Sequence, residues 1–369
     1  MILARSPYIV HFDDSGLEDI EYELYIYKGT QTTDRGTAKY TFAIDAINGE
    51  IEFDISPYIR DYFDLEVVAT VSTSAQDLLW VGQRVRKDTG AGLGSWAFIG
   101  TDLIASMGYY YPEEEVNFSA SSIVTGKFLT DKPYMYEPKT TSKSVLFPYV
   151  SQNSTADTIR LWSEYDGAGT ADGAGESQAY DAAESERVYK RGSLGYTDNG
   201  MWKSIALEIP KNTITASINI LYFEIGVTPY RRVTFINRYG MRDYLWFYGK
   251  ETETNNVTSK SYKKNILSGG EYYGFNRQKE VYQKNGKRTL SLNTGWYPEG
   301  FNEIFRQLLL SKHVWIVEQN SDKSFTISND PPPYNITTSS ISYKTILNDK
   351  LISYDIEFEY ANDLISTIK

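Results

Sequence analysis

The sequence predicts a mainly β protein: two β-sandwich-like domains, residues 1–125 and 126–245, and then an α+β domain, 246–369, in which one helix covers a sheet. Three observations lead there. Short runs alternate apolar and polar residues between polar turns, about eight to twelve residues apart. One late stretch, Trp296–Gln319, has helical periodicity instead. Aromatics make up 15% of the 369 residues, with 31 Tyr, a composition suited to sheets and contact surfaces.

The first domain opens as a series of strands. In IEYELYIY, Ile20, Tyr22, Leu24 and Ile26 share one face, and Glu21 and Glu23 take the other. Tyr40, Phe42 and Ile44 alternate next, then Ile51, Phe53 and Ile55, and VVATVST and LLWVGQRV complete the set. The tetrapeptide SPYI occurs at Ser6–Ile9 and at Ser56–Ile59. At the first site it suits a strand start; at the second, Ser56 and Pro57 suit the N-cap and N1 of a short helical turn. Gly90, Gly92 and Gly94 leave two readings, a phosphate-cradling loop or a plain flexible connection. The G-x-G-x-G spacing, with no helix pattern and no Lys-Ser/Thr after it, favours the connection.

The second domain offers KSVLFPYV, TIRLWSEY, KSIALEIP and INILYFEIGV as strands. Between them, residues 166–186 are rich in Gly, Ala and acids and read as a mobile surface loop. Asp166, Asp172 and Asp181 have oxygens suited to calcium, but their spacing matches no calcium loop.

Across the boundary to the third domain, TFIN and DYLWFYGK form a strand pair around a Gly-containing turn. Thr252, Thr254, Val257, Ser259 and Tyr262 alternate weakly, as in a long exposed hairpin. QKEVYQK and RTLSLNT follow as two strands, with Asn285–Gly286 as their turn. In the helix, Phe301, Ile304, Phe305, Leu308 and Leu309 form one apolar face, Pro298 and Glu299 suit the first turn, and Lys312 and His313 the end. HVWIVEQ, SFTIS, SSISYKTI and LISYDIEFEYA close the chain as strands. Pro331–Pro333 is a rigid extended connection.

Composition narrows the chemistry. With no cysteine, neither disulfides nor thiolate metal sites are possible. His11 and His313 are the two histidines; they read as a strand residue and a helix-end residue. A net charge of −11 argues against binding nucleic acid through a general basic surface. No apolar run reaches the roughly 18–20 residues that span a bilayer, and MILARSPYIV has no long apolar core, so the expectation is a chain made and folded in a cytoplasm. No Gly-x-Ser-x-Gly, P-loop or metal-spaced histidine cluster is present; no catalytic residue, cofactor or metal is expected. The local basic cluster Arg231, Arg232, Arg238 and Arg242 reads either as solvated outer charge on a strand pair or as a contact for an acidic neighbouring subunit.

Three stretches carry a resemblance. ARSPYIV, YELYIYKGT and IEFDISPYIRDYF resemble the N-terminal sandwich of virion proteins from tailed bacteriophages of Bacteroidetes-type hosts. TFINRYGMRDYLWFYGK resembles the Asn-x-Tyr-Gly-x-x-Asp strand pair that follows the second sandwich in those proteins. TLSLNTGWYPEGFNEIFRQLLLSKHVWIV, with the later IEFEYAND, resembles their C-terminal domain. The resemblance spans residues 1 to about 90 and 215–369, and its motifs are structural. Residues 95–190 match nothing in it. The order of elements at the C-terminus is similar to tail-tube-type domains, which form rings by joining sheets between subunits; that is an analogy of order alone.

The resemblance implies a non-enzymatic tail or baseplate protein, a ring, hub or baseplate component located in the virion tail. Its implied partners are other copies of itself and other tail proteins, with no nucleic acid and no membrane. The expected subunit contacts are Tyr272, Tyr273, Arg238 and Arg242, with the hairpin Thr252–Tyr262 reaching toward a neighbour. The competing readings are a carbohydrate-binding surface protein and a glycan-cleaving enzyme, which would need two carboxylates across a cleft.

Overall fold

The computed structural model of the chain describes residues 2–28, 34–63, 79–114, 128–138, 144–150, 157–163, 177–180, 189–195, 202–208, 214–223, 230–264, 267–268, 271–272, 277–317, 332–342 and 350–364. The protein is mainly β, with several sheets. It divides into two compact units, residues 1–224 with 236–243, and residues 225–235 with 244–369.

The first unit begins with β1 (Ile2–Leu3), β2 (Ile9–Asp13), β3 (Asp19–Lys28), β4 (Tyr40–Asp45), β5 (Glu50–Asp54), the helical turn α1 (Ser56–Arg60), β6 (Leu79–Asp88), β7 (Ala97–Phe98) and β8 (Leu103–Ser106). Their sheet runs β1-β8-β6-β3-β4, with β7 also on β6, and β2 pairs with β5. Alternation explains most of the core: Ile20, Tyr22, Leu24 and Ile26 are buried as expected, with Tyr25 buried between the last two, and the four share one cluster with Val10, Phe12 and Ile51 of the β2–β5 pair. Phe42 and Phe53 close on Tyr22 at ring distances of 6.1 and 4.9 Å.

Two local readings shift. The N-cap of α1 is Ile55, not Ser56, and Pro57 sits one position further in than N1. The capping work falls to Asp54, whose carboxylate accepts the Ser56 N–H and hydroxyl at 2.9 and 3.0 Å. The glycine run is an ordered turn instead of a flexible connection. Asp88 Oδ1 accepts the N–H groups of Gly90 and Gly92, both at 2.9 Å, and both glycines have φ near +90°. With those donors already aimed at a carboxylate, they are not free to cradle a phosphate.

The rest of this unit holds β9 (Met135–Pro138), β10 (Ser144–Val150), β11 (Asp157–Ser163), β12 (Ser177–Tyr180), β13 (Tyr189–Gly195), β14 (Trp202–Glu208) and β15 (Ile214–Phe223). A sheet runs β12-β11-β14-β15-β9, and β10 pairs with β13. All four expected strands are present. β12 lies inside the segment expected to be a loop, where it takes the free edge of Asp157–Arg160. Asp166, Asp172 and Asp181, and the VVATVST and SFTIS segments, lie outside the described residues.

The second unit contains β16 (Arg231–Ile236), β17 (Arg242–Phe247), β18 (Glu251–Lys263), β19 (Leu267–Ser268), β20 (Glu271–Tyr272), β21 (Lys279–Asn293), β22 (Tyr297–Pro298), α2 (Asn302–Leu310), β23 (Val314–Val317), β24 (Pro333–Ile336), β25 (Leu351–Ile352) and β26 (Asp355–Tyr360). Its sheet has the order β17-β16-β23-β24-β26-β21-β18, so β17 and β18 are the edges. Phe301, Ile304, Phe305 and Leu308 are fully buried. Leu309, expected on that face, is only half-buried, and Gln307 is buried in its place.

The helix is shorter than expected. Pro298 caps a single 3-10 turn, Glu299–Phe301, and α2 ends at Leu310 with Ser311 as C-cap, leaving Lys312 and His313 beyond it. LISYDIEFEYA is two strands, not one. At Tyr354 the chain exchanges backbone and side-chain bonds with Thr294, passing from β22 as partner to β21. Pro333, expected in a connection, opens β24, and residues 339–342, the described part of SSISYKTI, are not a strand.

Candidate functional site

The feature of the second unit that its own core does not explain is the ribbon formed by β18 and β21. The two strands pair continuously from Glu251–Leu292 to Lys263–Lys279, with one bulge at Lys260/Ser261. β26 covers β21 only from Thr289 to Asn293. Beyond that the ribbon is two strands wide among the described residues, and residues 252–260 are exposed at every position. An isolated two-stranded ribbon has marginal stability, so this one leans on its sheet-bound base.

Asn285–Gly286 is therefore no hairpin turn. Both residues lie inside β21, opposite Thr258 and Val257. Gly286 is outside the left-handed region that such a turn requires. Its lack of a side chain serves packing: a Cβ there would stand 2.9 Å from the Leu364 side chain, and its carbonyl accepts the Leu364 N–H. Asn285 Nδ2 donates to Asp363 at 2.8 Å.

Large side chains stand in solvent along the ribbon. Val257 is 67% exposed, Tyr282 63%, Tyr262 47% and Val281 46%. The Tyr262 and Tyr282 rings lie 6.0 Å apart. The Tyr262 hydroxyl donates to Glu280 at 3.1 Å, and Lys264 Nζ bridges the same carboxylate at 2.8 Å. The Lys264 bond, then the Tyr262 bond, hold the Glu280 carboxyl below its usual range, and Glu280 in turn raises Lys264. Arg288 is tied to Glu253 and Lys287 to Glu359 nearer the base.

Of the expected contact residues, Thr252 and Tyr262 belong to this ribbon. Tyr272 closes the short strand β20, where it is opposite Leu267, and Tyr273 lies outside the described residues. Arg238 and Arg242 fall in the first unit. Arg238 Nε is 2.6 Å from Asp131, and Arg242 is half-buried. Arg231 is bonded to Glu251 at 2.5 and 2.9 Å, and Arg232 is buried over the rings of Tyr244 and Trp246. Arg231, Arg232 and Arg238 of the basic cluster thus already have partners within the chain. Val281 and Tyr282, read as part of the QKEVYQK strand, are not among the expected contact residues, yet both stand exposed near Tyr262.

The Asn-x-Tyr-Gly-x-x-Asp sequence proves to be a structural latch within the first unit. Asn237 Oδ1 accepts the N–H groups of Tyr239 and Met241, and its Nδ2 donates to the Leu129 carbonyl at 2.7 Å. The Tyr239 hydroxyl donates to Asp131 at 2.7 Å; burial first, then the Asp131 charge, push its pKa up to about 12. Gly240, at φ +76°, faces Gly108, and a Cβ on it would stand 2.6 Å from the Gly108 nitrogen. Asp243 is buried between Lys132 Nζ at 2.6 Å and the Thr130 hydroxyl at 2.5 Å. Every defining residue of the motif is thereby spent on packing and polar satisfaction.

No group of three or more His, Asp or Glu is placed to hold a metal ion among the described residues. None of their helices is long and apolar enough to cross a membrane. No protein-family model matches the chain, and no curated protein matches it.

Proposed function

We propose that the chain is a non-enzymatic structural subunit of a bacteriophage tail, a ring, hub or baseplate component assembled in the host cytoplasm. It works through contacts with other copies of itself and with other tail proteins. The observation that carries this reading is the β18–β21 ribbon. Among the described residues its outer half buries no core, holds exposed Tyr262 and Tyr282, and ends a sheet on an edge strand with no further partner. A chain that folded to stay alone would shorten, cover or twist away such an edge; a subunit uses it as a joint. The resemblance of three stretches to phage virion proteins supplies the setting. On this reading the three expected domains are two sandwiches and a tail-tube-like assembly domain.

The contact residues are Thr252–Tyr262 with Tyr272 and Tyr273. Arg238, bridged to Asp131 inside its own unit, and half-buried Arg242 are secondary contacts on this reading. The test is peptide mass spectrometry of washed virions. The protein should be present in multiple copies per particle. Its confinement to infected-cell lysate would overturn the reading, as would a monomer that hydrolyses polysaccharide through a single Asp or Glu.

A further inference from the structure

The ribbon is also where the chain's charge reverses. Residues 255–288 hold eight Lys and Arg against two acids, so in a chain of net charge −11 the remainder carries −17. Lys260, Lys263, Arg277, Lys279 and Lys284 are all exposed, and Glu280 among them is already bridged to Lys264. The cations are interleaved with the Tyr262–Tyr282 pair and with Val257 and Val281. Apolar anchors ringed by one sign of charge make a surface for a partner of the other sign.

The chain supplies such a partner itself. At one end of the first unit's strands, Asp13 is directly opposite Glu50, and Asp19 is directly opposite both Asp45 and Asp88. Like charges facing each other across strands are destabilising, and a cation laid between them relieves the repulsion. Lys87 does this for Asp14, and His11 stands by Glu52. Asp13, Asp45 and Glu50 remain exposed.

We infer that the basic ribbon of one copy docks on the acidic strand ends of a second copy. The contact is heterologous, basic face to acidic face, the kind that propagates into a ring or stack. It rests on the self-assembly part of the proposed function and names the surfaces that carry it. Double-stranded DNA is the other polyanion a basic ribbon can enter. The acidity of the remaining chain favours the second copy, since it attracts the ribbon and repels nucleic acid.

The experiment is sedimentation velocity on the purified full chain, from roughly 0.01 M to roughly 1 M salt, over which the Debye length falls from about 30 Å to about 3 Å. The expected result is association that weakens with salt. A ribbon variant, Lys260→Glu with Lys263→Glu and Lys284→Glu, should weaken it at least about tenfold. So should a strand-end variant, Asp13→Lys with Asp45→Lys and Glu50→Lys. Mixing the two should restore assembly through the exchanged charges. All six positions are exposed, and unchanged melting curves confirm folding.

Association indifferent to both charge sets would overturn this contact while leaving a virion role standing. So would a wild type that stays monomeric yet shifts a short DNA duplex in a gel, which would make nucleic acid the ribbon's partner. Charge-dependent association by a protein absent from virions would instead uphold the contact and overturn the tail assignment.

Discussion

The Tyr297 hydroxyl sits between the two backbone polar groups of Trp246, accepting its N–H at 3.1 Å and donating to its C=O at 2.7 Å. Trp246 lies in β17, one edge of the seven-stranded sheet, so a single phenol takes up groups that a neighbouring strand would otherwise pair. The same ring meets Phe301 and Phe305 at 5.0 and 5.4 Å. It therefore joins α2 to the sheet while blocking that edge. Tyr297→Phe keeps the ring and strands a buried N–H and C=O, at a cost of about 1–3 kcal/mol. Thermal melting should show the loss; an unchanged midpoint would mean that the two groups find other partners.

The helix face gives a second prediction. Phe305 and Leu308 are fully buried while Leu309 is half-buried. Phe305→Asp or Leu308→Asp places an unpaired carboxylate in the core, at a cost of several kcal/mol, enough to unfold the second unit. Leu309→Asp should cost about 1 kcal/mol or less. Denaturant melts that rank Leu309→Asp with the other two would show that the face is drawn wrongly.

How far these features were legible in the sequence depends on distance along the chain. Ile20, Tyr22, Leu24 and Ile26 announce their face because strand alternation is local. Phe301, Ile304, Phe305 and Leu308 do so for the same reason at helical spacing. Asn237 and Asp243 were visible as a motif, but their partners Leu129 and Lys132 lie over a hundred residues upstream. The Asn-Gly pair misled because turn propensity is local, whereas the length of β21 is fixed by β18 and by Leu364 packing on Gly286. Charge reversal along residues 255–288 was readable from composition alone; that both ribbon faces are exposed was not.

The latch predicts asymmetric costs. Asp243→Asn leaves Lys132 buried without its counter-charge and should destabilise the first unit by about 3–5 kcal/mol. The double variant Asp243→Leu with Lys132→Met removes both charges and should recover most of that loss. Equal losses in single and double variants, measured by denaturant titration, would contradict a paired buried charge.

Alkali should find the same latch. Tyr239 has its pKa raised from 10.0 to about 12. A raised folded-state value contributes stability that is fully present below the unfolded value and is lost as pH rises through the folded one. Stability of the first unit should therefore fall from about pH 10 toward and through about pH 12. Tyr239→Phe should be less stable at neutral pH, having lost the bond to Asp131, and should show a shallower decline across that window. Parallel curves for the two proteins would remove Tyr239 from the alkaline response.

The central claim is that the ribbon exists to join subunits in a phage tail, and a cryo-electron-microscopy map of the intact tail tests it most directly. The chain should fit density as one copy of a symmetric ring, with Thr252–Tyr262 of each copy buried against a neighbour. A tail whose density is fully accounted for without this chain, or a ring in which Tyr262 and Tyr282 remain in solvent, would contradict it.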